Sequence, residues 1–379
     1  MLELADIFNK YGPAYLEKFG DKIIPRHKQA LLDIAGCRTI QAGGHVDLCP
    51  RCLYLRYFYH SCCNRSCPKC QGISRQKWLK KREAELLPVP YFHIIFTIPG
   101  ELRRLVRSYA KSLLPIIMRE SAHSIKELAA DPKYVGGKVS ILSVLHTWSR
   151  TLGYHPHVHC LVPGGGLSFD NQNWILARTT FLMPVKKLSK TFRERLEKAF
   201  KKEIPQIKFP KSAWNKKWVV HCKPAVQGVD KVIDYLARYI YKIAIANNRI
   251  ISDHNGKITF KYQDSNNYQW KTMTLDAMEF IRRFLQHVPI KGFHKVRFYG
   301  LLSPKNRKTL SQIQVQLKIA RGSTKTERKE QLENSTMEME KVEDRKLFRF
   351  CPQCLTGTMV TLIRFPPCRK PFFRGRSPP

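Results

Sequence analysis

Two closely spaced cysteine pairs constrain the fold of this chain more than any other feature. They are Cys49-Pro-Arg-Cys52 and Cys67-Pro-Lys-Cys70, each with a proline directly after its first cysteine. In a zinc ribbon each such pair forms a tight knuckle, and two knuckles complete a closed tetrahedral site of four thiolates. The spacing therefore predicts one structural zinc ion bound by all four of these cysteines.

More metal-binding side chains lie in the same block. Seven of the twelve cysteines fall between Cys37 and Cys70, and the N-terminus MLELADIFNK lacks the basic-then-apolar pattern of a signal peptide. Cysteines in a chain without an export signal favour metal binding over disulfides. We expect a second zinc site in this block, with a buried free cysteine as the alternative fate of any one thiol. Its candidate ligands are Cys37, His45, His60 and Cys62.

The chain is strongly basic. Lysine and arginine number 67 against 29 acidic residues, which gives a formal net charge of +38 over 379 residues. Such an excess repels itself without a polyanionic partner, and its spread along the chain favours nucleic acid. No apolar run approaches the roughly 20 residues of a spanning helix, so we expect no membrane partner. The expected location is the bacterial cytoplasm, on the nucleoid.

The pattern of predicted helices and strands along the sequence indicates an α+β fold made of several parts. Residues 1–88 combine N-terminal helices, the zinc ribbon and a basic helix, and residues 89–255 alternate short strands with longer helices as a catalytic domain would. Residues 256–302 read as a small accessory strand-and-helix unit. Residues 303–347 are highly charged and predict an exposed helix or linker, and residues 348–379 hold a late Cys351-Pro-Gln-Cys354 pair and a basic tail. That late pair has only Cys368 as a neighbouring thiol.

Two segments of the N-terminal region are candidates for DNA contact. The first is the basic helix at 76–87 and its approach, whose candidate residues are Arg75, Lys77, Lys80, Lys81 and Arg82. The second is the run YLRYFYH between the cysteine pairs, where aromatic residues alternate with Arg56. Such aromatics can stack on unpaired bases. The alternative is that they belong to ribbon strands that pack on the next domain.

A histidine-rich strand supplies the first catalytic motif. In His155-Pro-His157-Val158-His159, residues two apart face the same side of a strand, so His157 and His159 present two imidazoles while Val158 points to the core. Two neutral imidazoles with open remaining positions suit a divalent ion that also binds a phosphate oxygen. His155 shares this face if the strand begins early. Glu, Asp, Gln or a third His could complete the site.

Two tyrosines one helical turn apart form the second motif. Tyr235 and Tyr239 lie at i and i+4 in a helical run, and Lys242 follows on nearly the same side. A phenol with a pKa of about 10 needs a polarised phosphate and nearby cationic charge to act as a nucleophile. We expect Tyr235 and Tyr239 to be catalytic, with Lys242 assisting. The alternative is that they are ordinary half-buried helix residues.

The order of the sequence blocks resembles a known family. A cysteine block ending SCCNRSCPKCQ precedes FTIPGELR, LHTWSRTLGYHPHVHCLVPGGG, YLARYIYKIAIANNRI, KTMTLDAMEFIRRFLQHVP and KGFHKVRFYG. Over roughly residues 30 to 302 this order resembles the rolling-circle insertion-sequence transposases of the IS91 kind, which are HUH endonucleases with two tyrosines.

The resemblance implies a fold, a chemistry and partners. The fold would be an antiparallel five-stranded sheet flanked by helices, preceded by the zinc ribbon. His157 and His159 would bind Mg²⁺ or Mn²⁺, and Tyr235 or Tyr239 would attack the DNA to give a 5′-phosphotyrosine and a free 3′-hydroxyl. The partners would be single-stranded DNA or a hairpin at transposon ends and the target DNA, with host replication or helicase functions as further candidates.

Two other functions stay open on the sequence alone. A plasmid relaxase or replication initiator would use the same HUH chemistry, and a zinc-dependent DNA-binding protein with an inactive nuclease domain would bind DNA without cutting it. The sequence contains no GxxxxGK[ST] loop, which excludes an ATP-driven motor of that type. It also contains no HExxH motif, which disfavours a metallohydrolase built on the histidines.

Overall fold

The architecture comes from a computed structural model that describes residues 2–70, 76, 78–80, 82–225, 242–264, 267–320 and 350–368. Within these residues, no helix is long and apolar enough to cross a membrane. The helices are α1 (Leu4–Phe19), α2 (Pro25–Ala35), α3 (Gly100–Ser108), α4 (Ala110–Ala129), α5 (Val185–Glu203), α6 (Lys211–Trp214), α7 (Ala277–Leu285) and α8 (Arg307–Ala320).

The strands form four sheets among the described residues. They are β1 (Gly44–Leu48), β2 (Leu55–Tyr59), β3 (Tyr91–Thr97), β4 (Ile141–Trp148), β5 (Tyr154–Pro163), β6 (Gly165–Leu167), β7 (Trp174–Leu176), β8 (Val220–Pro224), β9 (Ile250–His254), β10 (Lys257–Gln263), β11 (Trp270–Asp276), β12 (Val296–Tyr299) and β13 (Val360–Phe365).

The chain divides into two compact units, each made from separated stretches. The first unit comprises Met1–Gly72, Ile245–Val288 and Gly322–Pro379, and the second comprises Ile73–Ala244 and Pro289–Arg321. This division differs from the contiguous parts expected from the sequence. The expected accessory unit at 256–302 is split, because β12 pairs with β4 in the second unit while β10, β11 and α7 lie in the first. The stretch 303–347, expected to be a charged helix or a linker, begins with a helix, α8.

The second unit is centred on a five-stranded sheet. Its strand order is β12-β4-β5-β3-β8, and every neighbouring pair is antiparallel. Helices α4 and α5 contribute buried residues to the core cluster that includes one face of this sheet. These observations confirm the predicted α+β fold with an antiparallel five-stranded sheet flanked by helices.

One face of this sheet is mostly apolar. Alternate residues of β5, among them Val158, Cys160 and Val162, are fully buried there. Helix α5 meets this core with apolar side chains at intervals of four residues, which places them on one helical face; they are Leu188, Phe192, Leu196 and Phe200. Helices α3 and α4 separate at Tyr109, whose ψ of 35° is not helical.

The opposite face is divided between apolar and polar side chains. Val144 and Leu161 join a second core cluster with Leu310 and Ile313 of α8. The same face carries histidines from three neighbouring strands, β3, β5 and β4, and His157 is directly opposite His146. The alternation of β5 therefore places Val158 in the core and its two neighbouring histidines on the divided face.

The first unit contains two smaller sheets and the N-terminal helices. The strand orders are β13-β1-β2 and β11-β10-β9. Phe8 of α1 packs edge-on against Phe284 of α7, with ring centroids 5.4 Å apart. The carboxylate of Asp276 accepts a hydrogen bond of 2.8 Å from the backbone N–H of Met278 and so caps α7. This unit contains most of the cysteines.

Candidate active site

Three imidazoles converge on the divided face of the large sheet. The structure brings His157 and His159 together, as predicted, and adds His146 from the neighbouring strand β4. One ring nitrogen from each of the three lies within 4.8 Å of the others. His146 is the cross-strand partner of His157, so the β4–β5 register is what completes the trio. His146 and His159 are buried, with 2% and 8% of their surface exposed.

Hydrogen bonds fix the orientation of two of these rings. Nδ1 of His157 lies 2.7 Å from the carbonyl oxygen of His155, which can only accept, so Nδ1 carries the proton and Nε2 carries the lone pair. Nδ1 of His159 lies 2.9 Å from Nε2 of His93 on β3. If His159 donates in that bond, its Nε2 also presents a lone pair. Metal-binding histidines are commonly held by such outer hydrogen bonds.

The cluster is built to stay neutral. Burial lowers the pKa of His157 to about 4, and the charges of Lys242 and Arg103 lower it further, while the hydrogen bond that His157 donates to the His155 carbonyl raises it. Burial also lowers the pKa of His93 to about 4 and holds that of His159 well below its ordinary value. Neutral imidazoles keep the lone pairs that a divalent ion requires, so the donor set fits such an ion at neutral pH.

Two cationic side chains act electrostatically on this cluster. Lys242, predicted from the sequence, lowers the pKa of both His157 and His159 by its charge. Arg103 on α3 lowers the pKa of His155 and His157 in the same way. Nε of Arg103 is buried, and no hydrogen-bond partner for it is present among the described residues. Sequence reasoning missed Arg103, although it ends the FTIPGELR block.

The predicted nucleophiles lie outside the described residues. Tyr235 and Tyr239 both fall in the stretch 226–241, so their positions stay predictions. The chain is described again from Lys242, an exposed residue whose charge acts on the histidine cluster.

Eight cysteines of the first unit form two clusters of four. The first tetrad is Cys37, Cys62, Cys67 and Cys70, and the second tetrad is Cys49, Cys52, Cys351 and Cys354. In each tetrad the four sulfur atoms lie within 4.8 Å of one another. Backbone donors at Thr356 and Gly357 lower the pKa of Cys354 to about 6.

This grouping corrects the predicted zinc ligands. Cys49, Cys52, Cys67 and Cys70 do not share one site, because the first pair lies at the turn between β1 and β2 and the second pair follows the far end of β2. At about 3.3 Å per residue, the length of a five-residue strand separates the two pairs by far more than one ion can bridge.

The predicted second site is right in its cysteines and wrong in its histidines. Cys37 and Cys62 do lie with Cys67 and Cys70. His45 and His60 instead lie beside each other, with Nδ1 and Nε2 3.4 Å apart, and neither belongs to a tetrad. His45 lies on β1, and His60 directly follows the end of β2.

Comparisons with known proteins place this architecture in a family. Residues 140–310 match a family model described as "Putative transposase", and residues 7–98 match one described as "Transposase zinc-binding domain", the IS91 type. The chain is 36% identical to "Putative transposase y4qJ" of Sinorhizobium fredii, over 96% of this chain and 95% of that protein. The chain belongs to the IS91 family of transposases. It is also 28% identical to the transposase for insertion sequence element IS801 of Pseudomonas savastanoi, over 71% of this transposase and 67% of that one. No solved structure matches it.

The zinc-binding domain of the transposase contains the whole first tetrad. Nearest sulfur distances there are 3.3 Å for Cys37 and Cys70 and 3.5 Å for Cys62 and Cys70. Four thiolates at such spacing fit the closed tetrahedral geometry of a structural zinc ion. These four residues would hold zinc in this domain.

Lys80 and Arg82, both predicted to contact DNA, have different environments in the structure. Lys80 is exposed, whereas the side chain of Arg82 is only 11% exposed and pairs with Glu85 at 2.5 Å. The guanidinium of Arg82 also lies over the rings of Trp78 and Phe298. Arg82 is therefore a packing residue, which corrects its predicted contact with DNA. Arg75, Lys77 and Lys81 lie outside the described residues.

The aromatic run between the cysteine pairs forms strand β2. Tyr57 and Tyr59 alternate onto one face and are 61% and 43% exposed. Phe58 faces the other way, covered by a stacked His45 ring and by Arg56. Two exposed tyrosine rings on one face of a short sheet are suited to stacking on bases.

Proposed function

We propose that this transposase nicks and rejoins single-stranded DNA at its element ends through a 5′-phosphotyrosine intermediate, as an HUH endonuclease. The observation that carries this proposal is the trio of His146, His157 and His159, in which His146 and His159 are buried, on the central sheet of a chain in the IS91 family. A buried cluster of neutral imidazoles has little use in a protein that only binds DNA.

Three residues would hold Mg²⁺ or Mn²⁺: His146, His157 and His159. Once bound, such an ion would polarise the scissile phosphate and stabilise the charge that develops on it. The hydrogen bonds of His157 to the His155 carbonyl and of His159 to the His93 ring orient these two rings before any ion binds. Burial excludes water and keeps the imidazoles unprotonated.

Tyr235 and Tyr239 would supply the nucleophiles. The phenolic oxygen attacks phosphorus and loses its proton, the bond from phosphorus to the 3′ oxygen breaks, and that oxygen takes up a proton to become the free 3′-hydroxyl. The ester keeps the bond energy, so a 3′-hydroxyl can reverse the step and rejoin strands without ATP. Two tyrosines allow one to hold the first DNA end while the other cleaves again.

Lys242 supports this placement of the tyrosines. Its charge acts on His157 and His159, and Tyr239 lies three residues before it. Three residues span at most about 11 Å of chain, and this short separation from Lys242 supports the assignment of Tyr239 to the site. Arg103 and Lys242 together would attract the scissile phosphate and stabilise its transition state.

The partners of the reaction follow from the same features. The single-stranded substrate would lie against exposed aromatic side chains such as Tyr57 and Tyr59, with Lys80 and other basic residues contacting phosphates. A hairpin at the element end and the target DNA would be the other DNA partners.

A covalent-capture assay tests the proposal. The full chain is incubated with single-stranded oligonucleotides tiled across the element ends, labelled at the 3′ end, with Mn²⁺ or with a chelator. The expected product is a labelled protein band on a denaturing gel that requires metal, together with a free 5′ fragment ending in a 3′-hydroxyl. A wild-type protein that shifts these oligonucleotides without cutting them in Mn²⁺ would be a DNA-binding protein only.

Matched variants assign the nucleophiles. Tyr235→Phe/Tyr239→Phe is expected to abolish the labelled band, whereas Tyr241→Phe, in the same segment, is expected to preserve it. The tyrosine assignment is wrong if the double variant still forms the adduct at the wild-type level.

A further inference from the structure

We propose that the second tetrad, Cys49, Cys52, Cys351 and Cys354, binds a second structural zinc ion that joins the C-terminal segment to the N-terminal zinc-binding domain. The matched zinc-binding domain covers residues 7–98, so Cys351 and Cys354 lie far outside it. Together the two tetrads give the first unit two zinc sites.

The sulfur geometry fits a tetrahedral ion. The Sγ atoms of Cys49 and Cys354 are 3.8 Å apart, and those of Cys52 and Cys351 are 3.5 Å apart. Zinc–sulfur bonds of about 2.3 Å at tetrahedral angles place the sulfurs about 3.8 Å from one another. A disulfide needs a sulfur–sulfur distance of about 2.05 Å, and all four cysteines are free.

The two halves of the site have the same sequence pattern and the same backbone conformation. Cys49-Pro-Arg-Cys52-Leu53 and Cys351-Pro-Gln-Cys354-Leu355 share one five-residue pattern. Both leucines have a φ of 58°, a conformation uncommon for a side chain of this kind. In each half the leucine N–H donates to the carbonyl of the first cysteine, at 2.8 Å for Leu53 and 2.9 Å for Leu355. The same knuckle is therefore built twice, from opposite ends of the chain.

The C-terminal knuckle also points backbone donors at its sulfurs. The N–H of Gln353 lies 3.4 Å from Sγ of Cys351, and the N–H of Gly357 lies 3.2 Å from Sγ of Cys354. Such donors favour the thiolate, which is the form that binds a metal. A Cβ atom on Gly357 would stand 2.4 Å from Sγ of Cys49, so this glycine lets the two knuckles close on each other.

The surrounding chain is arranged around this junction. Strand β13 pairs with β1, and the hydroxyl of Thr361 donates to the carboxylate of Asp47 at 2.8 Å. The two sulfur contacts join cysteines that are 305 and 299 positions apart in the sequence. A metal that closes so long a loop removes much of the entropy of the unfolded chain. Zinc at this site would therefore hold β13 in the N-terminal sheet.

Metal analysis of the purified full chain tests the proposal. We expect two zinc ions per chain in the wild type and one in Cys351→Ser/Cys354→Ser. The control Cys63→Ser/Cys368→Ser removes two exposed cysteines that lie outside both tetrads, and it should keep two. A wild type with one zinc, or a Cys351→Ser/Cys354→Ser variant that keeps two, overturns the proposal.

A second measurement does not depend on the variant's ability to fold. A protease site inserted between residues 325 and 345 lets the full chain be cut after purification, under reducing conditions that break any disulfide. The C-terminal fragment should stay bound in zinc and be released by a zinc chelator. Retention of the fragment after zinc is fully removed would show that the metal does not hold it.

Discussion

Replacing His93 by phenylalanine tests whether the imidazole beside His159 sets the metal affinity of the candidate active site. Nε2 of His93 lies 2.9 Å from Nδ1 of His159, and the two rings stack with centroids 5.1 Å apart. Phenylalanine keeps a ring at this position but removes the nitrogen, so a nearly buried Nδ1 loses its partner. The ring of His159 is then free to turn its Nε2 away from the site.

The expected size of this effect follows from that geometry. Removing an outer hydrogen-bond partner of a metal-binding histidine typically costs 10- to 100-fold in metal affinity. That range corresponds to about 1.4–2.7 kcal/mol, which matches the roughly 1–3 kcal/mol cost of leaving a buried polar group unsatisfied. We therefore expect the Mn²⁺ concentration for half-maximal nicking to rise 10- to 100-fold, with most of the rate recovered at saturating metal.

The assay is a titration of single-strand nicking against Mn²⁺, with direct Mn²⁺ binding measured in parallel. His93→Gln, whose side-chain oxygen can accept the same hydrogen bond, should recover much of the affinity. His221→Ala is the matched control, because His221 is an exposed histidine on the neighbouring strand β8. An unchanged midpoint in His93→Phe, or an equal shift in His221→Ala, would refute the reasoning.

Three further predictions concern charge, stacking and stability. Arg103→Met should slow single-turnover nicking about 100-fold with little change in DNA affinity, as loss of one transition-state donor does; a rate within threefold of wild type would contradict it. Tyr57→Leu/Tyr59→Leu should weaken single-stranded DNA binding by about 1–3 kcal/mol per stacked base and spare duplex binding, as measured by fluorescence anisotropy. Equal losses on both DNA forms would argue against stacking. Arg195→Met should lower the free energy of unfolding by about 2 kcal/mol in urea titrations, since Glu120 is only 5% exposed and accepts a 3.0 Å hydrogen bond from Arg195. Adding Glu120→Gln should restore part of that loss.

The sequence determined those features whose geometry is local. Because a strand repeats every two residues, His157-Val158-His159 by itself places two imidazoles on one face and a core residue between them. A Cys-Pro-x-Cys run likewise forms a knuckle by itself, and the +38 charge and the order of the sequence blocks pointed to DNA and to the family. The resemblance to that family implied the antiparallel sheet.

Only the tertiary structure decided which distant groups meet. His146 joins the trio through the register of β4 on β5, and Arg103 acts on it from another element, and neither follows from a short-range pattern. The partner of each cysteine knuckle was decided in the same way, because β2 separates Cys52 from Cys67 while the pairing of β13 with β1 brings Cys351 to it. Local spacing fixes where a side chain points along its own element, whereas strand pairing between remote segments fixes what it faces.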